Sequence, residues 1–140
     1  MNKVDELINK GKLKRAVISK EMYLKEFNIS GKDLSAAKKS FEDENYKWAT
    51  IQAYYAIFHA VRALIYKTGL REESHTALKT ALKELYVNTG IIPLKVYTTF
   101  ERGMDLREMA DYKETYSKNG AENLITDVEK AIEEISLYIK

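Results

Sequence analysis

The 140-residue chain contains no cysteine, one proline and six glycines. The lack of cysteine excludes disulfide bonds, thiolate nucleophiles and cysteine-ligated metal sites, and it agrees with a reducing cytoplasm. So little proline and glycine argues against an all-β fold, whose many turns need these residues. No apolar run approaches the roughly 20 residues that a membrane-spanning helix needs, and the first residues lack the apolar core of a signal peptide. We therefore expect a cytoplasmic protein without membrane contact.

The charged residues are nearly balanced, with 23 basic and 21 acidic side chains and a formal net charge of +2. This balance neither supports nor excludes RNA binding, so a phosphate site would need a local cluster of cations. The two histidines, His59 and His75, do not stand in a metal-binding spacing, and the sequence has no glycine-rich phosphate loop, nucleophile elbow or dinucleotide fingerprint. We expect neither a metal site nor a cofactor.

Apolar residues recur with the helical period through most of the chain, which predicts an all-α protein. The segments are joined by loops of a few residues, so we expect an antiparallel up-and-down bundle of about five main helices. A short amphipathic segment over residues 4–8 precedes them. Ser19 and Ser74 are favourable N-caps for two of the main helices, and a capping box at Asn119 predicts the start of the last one.

Residues 46–67 are the most informative segment, because three different stripes run along one predicted helix. The first is small enough to let a neighbouring backbone approach closely and consists of Ala49, Ala53, Ala56, Ala60 and Ala63. The second is bulky and apolar and consists of Ile51, Tyr54, Phe58, Val61 and Ile65. The third carries hydrogen-bonding groups and consists of Trp48, Gln52, Tyr55, His59, Arg62 and Tyr66. We expect this helix to lie at the centre of the bundle and to end at Gly69. In the helix before it, Gly31 costs about 1 kcal/mol relative to alanine and predicts a possible kink or break.

Tyr55, His59 and Arg62 are candidate ligand-binding residues on the polar stripe of this helix. A histidine in such a place can donate to an anion or shuttle a proton near neutral pH, and a guanidinium group matches phosphate oxygens. The alternative is structural, with His59 satisfied by a neighbouring helix and Arg62 paired with a glutamate. The sequence leaves both interpretations open.

Arg71, Ser74 and His75 gather at the start of the next helix. Free backbone N–H groups at a helix N-terminus attract anions, so an arginine and a histidine there indicate a phosphate site. In the alternative, Ser74 acts only as a cap and His75 points to solvent.

Arg107, Asp111 and Tyr112 close the fifth helix. Arg107 and Asp111 stand four residues apart on one helix face, where an ion pair contributes about 0.3 kcal/mol. In the functional alternative, Asp111 orients Arg107 toward a phosphate, and Tyr112 stacks on a base or donates a hydrogen bond.

Taken in order, these segments resemble the HEPN family of small prokaryotic helical-bundle proteins. The matching motifs are Ala53-Tyr54-Tyr55-Ala56-x-Phe58-His59-Ala60-x-Arg62-Ala63-Leu64, then Gly69-x-Arg71-x-x-Ser74-His75, then Arg107-x-x-Ala110-Asp111-Tyr112. The resemblance implies a HEPN-like fold and a single domain over residues 1–140, with residues 1–18 as a short leader that packs on the bundle. It also implies a homodimer.

Many HEPN proteins are metal-independent endoribonucleases, often toxins paired with a minimal nucleotidyltransferase, and they use an arginine followed closely by a histidine. In that chemistry arginine stabilises the phosphorane charge while histidine handles the proton of a 2′-hydroxyl. This chain has no histidine after Arg107, and Arg71 and His75 have one residue too few between them. We therefore expect a module that binds a nucleotide or an RNA phosphate and acts with a nucleotidyltransferase partner. The alternatives are a ribonuclease whose catalytic residues are Arg107 and a nearby histidine, His75 or His59, and a non-catalytic dimeric scaffold.

Overall fold

The computed structural model describes residues 2–139. Within that range six α-helices and two short strands follow one another: α1 Lys3–Asn9, β1 Leu13–Arg15, α2 Lys20–Glu42, α3 Tyr46–Lys67, β2 Leu70–Glu72, α4 His75–Leu82, α5 Leu94–Tyr112 and α6 Lys118–Ser136. Helices α2 to α6 correspond to the five main helices expected from the sequence, and α1 is the short amphipathic segment. The prediction of an all-α bundle is confirmed. None of the described helices is long and apolar enough to cross a membrane.

The α3 helix lies at the centre of the bundle and packs against α2, α4, α5 and α6. All five alanines of its small stripe are fully buried. The hydroxyl of Ser30 on α2 donates a hydrogen bond of 2.6 Å to the carbonyl oxygen of Ala56 on α3. A contact between a short side chain and a backbone requires close helices, so the alanine stripe brings α2 and α3 together as predicted.

The helix ends confirm some of the expected caps and correct others. Ser19 and Ser74 cap α2 and α4 by accepting from backbone N–H groups three residues later. The capping box expected at Asn119 is wrong, because the hydroxyl of Ser117 accepts from a backbone N–H at 2.9 Å and starts α6 two residues earlier. The α2 helix continues without interruption through Gly31.

Two local features were not expected from the sequence. Strands β1 and β2 pair antiparallel, with Leu13 opposite Glu72 and Lys14 opposite Arg71. Three residues are too few to show a strand alternation, so the sequence pattern contained no signal for this sheet. A π-helical turn, Lys83–Val87, extends α4. The β1–β2 pairing joins the segment before α2 to the segment that leads into α4. Leu13 of β1 is fully buried and anchors the first segment to the core.

Candidate functional site

Aromatic rings from α3 surround the first residue of α4. The Tyr54 hydroxyl lies 2.6 Å from Nδ1 of His75, and the His75 ring centroid lies 4.3 Å from that of Phe58. Tyr54 is fully buried, whereas His75 is half-buried. Ser74 places the histidine, since its side-chain oxygen accepts the backbone N–H of Ala77 at 3.0 Å and so fixes the start of α4. His75 therefore points into a ring cluster rather than only into solvent.

Arg107 reaches the same rings from α5. Its guanidinium carbon lies 5.4 Å from the ring centroid of Tyr54, 5.8 Å from that of Tyr55 and 5.7 Å from that of Tyr112. These distances are in the range of cation–π contacts. The side chain is only 16% exposed. Arg107 is thus held mainly by the faces of aromatic rings.

The polar contacts of Arg107 are few and long. Its Nη1 donates to the Tyr112 hydroxyl at 3.5 Å and lies 3.9 Å from a carboxylate oxygen of Asp111. Its Nε is buried and has no hydrogen-bond partner among the described residues. A buried donor without a partner costs free energy, and the contacts of Nη1 are long, so the hydrogen-bonding capacity of this guanidinium is not saturated by the described residues.

Arg62 on α3 differs from Arg107 because carboxylates, rather than mainly aromatic rings, contact its guanidinium group. Its Nε and Nη2 donate to one carboxylate oxygen of Glu72 at 3.1 and 2.7 Å, and its Nη1 donates to Glu26 at 2.9 Å. His59 lies between carboxylates of α2, with Nδ1 3.3 Å from Glu26 and Nε2 3.7 Å from Asp33. Arg62 and His59 both contact carboxylates of neighbouring elements.

The two groups of residues meet at Phe58. The guanidinium carbon of Arg62 lies 4.4 Å from its ring centroid, and the His75 ring also packs on it. The fold thus brings Tyr55, His59, Arg62, Ser74, His75, Arg107, Asp111 and Tyr112 into one connected region. Arg71 differs, because the alternation of β2 buries Leu70 and Glu72 and leaves Arg71 exposed opposite Lys14.

Burial and charge decide the protonation of this region. Burial lowers the pKa of His75 below its ordinary value of 6.5, and the positive charges of Arg107 and Arg62 lower it further. Burial raises the pKa of the Tyr54 hydroxyl, which therefore keeps its proton. Burial also favours the neutral form of Glu26, but hydrogen bonds from His59 and Arg62 outweigh that effect and lower its pKa. At neutral pH the region contains a neutral His75 beside a cationic Arg107.

Five residues of this region were not among the sequence candidates: Glu26, Asp33, Tyr54, Phe58 and Glu72. Tyr54 and Phe58 belong to the bulky stripe of α3 and read as ordinary core residues. A buried tyrosine needs a partner for its hydroxyl, which was the available signal for Tyr54. The described residues contain no group of three or more histidine, cysteine, aspartate or glutamate side chains arranged to hold a metal ion.

Comparison with known proteins places the chain in a family. The HEPN domain family matches residues 24–138. "Putative toxin MJ0605" of Methanocaldococcus jannaschii is 32% identical over 113 residues, which cover 80% of this chain and 84% of that protein. "Putative toxin MJ0142" of the same organism is 24% identical over 96 residues, covering 67% and 65% of the two chains. A "UPF0332 protein" of Thermotoga maritima is 27% identical over 111 residues, covering 73% and 84%. The chain belongs to the HEPN domain family.

Proposed function

We propose that this HEPN protein has a toxin-like role in which Arg107, with His75 beside it, binds a phosphate group of RNA or of a nucleotide. Its HEPN family membership and the toxin names of two relatives support the toxin-like role. The phosphate site rests on the geometry of the side chains.

The observation that carries the proposal is the difference between Arg62 and Arg107. Arg62 has three hydrogen bonds to two carboxylates, so its fork is already occupied by anions. Arg107 has one distant carboxylate, that of Asp111, and one long hydrogen bond to Tyr112, and its Nε is without a partner in the described part of the chain. Two oxygens of a phosphate can accept a pair of parallel hydrogen bonds from a guanidinium group that no carboxylate already holds.

The surroundings of Arg107 fit a nucleotide rather than an isolated phosphate. Tyr112 follows it by five residues, contacts its guanidinium group and is 71% exposed. Met109 and Tyr116 are further exposed apolar side chains near the end of α5. Exposed aromatic rings beside a cation bind single-stranded RNA by stacking on its bases, with little dependence on sequence.

The homodimer, the nucleotidyltransferase partner and the cytoplasmic location implied by the family resemblance are part of the proposal. Light scattering of the purified protein measures the oligomeric state. Co-expression with a nucleotidyltransferase encoded next to it, followed by affinity purification of the tagged HEPN chain, tests the partner. A monomer that purifies alone under both conditions would contradict this part and leave the phosphate site untouched.

The phosphate site is tested by titrating labelled single-stranded RNA with the protein in the presence of a chelator. Replacing Arg107 with alanine removes charge-assisted hydrogen bonds, so we expect affinity to fall by about tenfold or more. Arg102→Ala is the matched control, because Arg102 lies on the same helix and pairs with Asp127 instead. Equal losses in both variants would contradict a specific role of Arg107.

A metal-independent ribonuclease is the second candidate, and the connection from Arg107 through Tyr54 to His75 favours it. The same incubation, resolved on a denaturing gel, tests for cleavage. Cleavage that disappears in both Arg107→Ala and His75→Ala would support the enzyme. RNA that stays intact at every protein concentration would contradict the ribonuclease and would leave the proposed phosphate-binding function in place.

A further inference from the structure

The position of the Tyr54 ring is fixed on several sides. It stacks on Phe100, with centroids 6.0 Å apart and ring planes 12° from parallel, and the guanidinium of Arg107 lies against it. A Cβ placed on Gly103 would come within 3.3 Å of the ring, so α5 packs closely against it. A ring held this firmly places its hydroxyl at one point in space, which is 2.6 Å from Nδ1 of His75.

The direction of this hydrogen bond follows from the groups around it. Within residues 2–139 the Tyr54 hydroxyl has no hydrogen-bond partner other than His75, and it keeps its proton because burial disfavours the phenolate. The hydroxyl is therefore the donor, and Nδ1 accepts with its lone pair. A neutral imidazole has one ring proton, which must then be on Nε2.

Burial lowers the pKa of His75 and so favours this neutral form, and the charged and titratable groups facing the ring act in addition. They are Arg107, Arg62, Glu72 and His59. Arg107 and Arg62 oppose a second proton on the ring, and the negative charge of Glu72 is already paired with Arg62. Nε2 has no hydrogen-bond partner among the described residues and is not fully buried, so its N–H is available to an incoming group.

We infer that Tyr54 is a positioning residue that holds His75 as the Nε2–H tautomer, so that His75 donates a hydrogen bond to the phosphate instead of acting as a base. This inference rests on the proposed phosphate site and specifies how its second residue works. Arg107 and His75, which both pack on the Tyr54 ring, then provide two donors for phosphate oxygens. A base that removes the proton of a 2′-hydroxyl needs a free lone pair on Nε2, which this tautomer lacks.

The tautomer can be read without any ligand. In ¹⁵N-labelled protein, long-range ¹H–¹⁵N spectra at a pH well above the ordinary pKa of histidine distinguish protonated from unprotonated ring nitrogens. The chain has two histidines, so His75→Ala identifies the signals of His75. We expect a protonated Nε2 and an unprotonated Nδ1. A proton on Nδ1 in the unmodified protein would overturn the inference, whatever the RNA titration shows.

The role of the hydroxyl is tested by Tyr54→Phe, which keeps the ring. We expect the two ¹⁵N shifts of His75 to move toward each other as the tautomers mix, and RNA affinity to fall by about three- to tenfold, as for one lost hydrogen bond. Tyr86→Phe is the matched control, because Tyr86 donates its own hydrogen bond elsewhere, to the carbonyl oxygen of Leu64. Unchanged His75 shifts in Tyr54→Phe would refute the positioning role. A changed tautomer with no RNA binding by any form would instead contradict the proposed function alone.

Discussion

At the scale of single residues, Arg62 and Arg107 show two ways of burying a cation. Arg62 is compensated by the carboxylates of Glu26 and Glu72, whereas Arg107 is compensated by ring faces and one distant carboxylate. Buried ion pairs contribute little net stability, but removing one member leaves the other charge uncompensated. The two arginines should therefore respond differently to the same substitution.

Replacing Arg62 with alanine should lower the free energy of unfolding by about 3 kcal/mol, because the carboxylates of Glu26 and Glu72, which are mostly shielded from water, lose their partner. Denaturant titration followed by circular dichroism measures the change. Lys39→Ala is the control, since its pair with Asp43 is exposed and should change stability by less than about 1 kcal/mol. If the two variants lose equal stability, Arg62 has no structural role of this kind.

The lowered pKa of His75 predicts a pH dependence of stability. Its pKa is lower in the folded than in the unfolded chain, so the unfolded chain binds more protons between the two values. The contribution of neutral His75 to the free energy of unfolding is fully present at a pH above 6.5, the ordinary pKa of histidine, and it is lost as the pH falls through the folded-state pKa. We expect the unmodified protein to lose more stability than His75→Gln between about pH 8 and about pH 5. Denaturant titrations at both pH values provide the comparison, and identical pH profiles would contradict the prediction.

At the scale of secondary-structure elements, two glycines inside helices have different reasons to be there. A Cβ on Gly31 in α2 would meet no atom within 4 Å, whereas a Cβ on Gly103 in α5 would approach the ring of Tyr54. The first glycine only weakens its helix, and the second makes room for the ring that positions His75.

Substitution of these glycines by alanine should have opposite effects. Gly31→Ala should raise the free energy of unfolding by about 0.5–1 kcal/mol, because alanine is the better helix former and nothing obstructs it. Gly103→Ala should lower it by about 1–3 kcal/mol, because the buried Tyr54 ring has no free space into which to move. Thermal unfolding of both variants gives the answer. If Gly103→Ala is more stable than the unmodified protein, the Tyr54 ring can move away from the new Cβ, which would otherwise lie 3.3 Å from it.

At the scale of the whole molecule, the small sheet joins the beginning of the chain to the bundle. The HEPN match begins at residue 24, but Leu13 on β1 is fully buried in the same core as α3. The β1–β2 pairing also holds Glu72 where it meets Arg62. We therefore expect residues before α2 to unfold together with the helices.

Leu13→Ala tests this cooperativity. Truncating a buried leucine should cost about 3 kcal/mol of global stability. Circular dichroism reports all helices and the single Trp48 reports the start of α3, so both should show one coincident transition at lower denaturant. Val17→Ala in the same segment is the control, because Val17 is fully exposed and should change stability by less than about 0.5 kcal/mol. An unaltered transition in Leu13→Ala would mean that this segment is a separate unit.

Features that depend on neighbours along the chain could be predicted from the amino-acid sequence. The helical period, the alanine stripe of α3 and the serine caps of α2 and α4 act over three or four residues, so their spacing predicts them. The β1–β2 sheet could not be predicted, because each strand has three residues and is too short to show the alternation of apolar and polar side chains.

Which polar groups meet depends on how the helices pack and could not be predicted from the sequence. Periodicity shows which side of a helix is polar, but it does not show which helix faces that side. The sequence therefore could not distinguish Arg62, which Glu26 of α2 reaches across 36 residues, from Arg107, whose Nε has no hydrogen-bond partner in the described chain. It also could not show that Tyr54 bonds to His75, since that contact depends on how α4 packs against α3. Pairing across helices is set by packing, and that packing turns scattered polar residues into a candidate site.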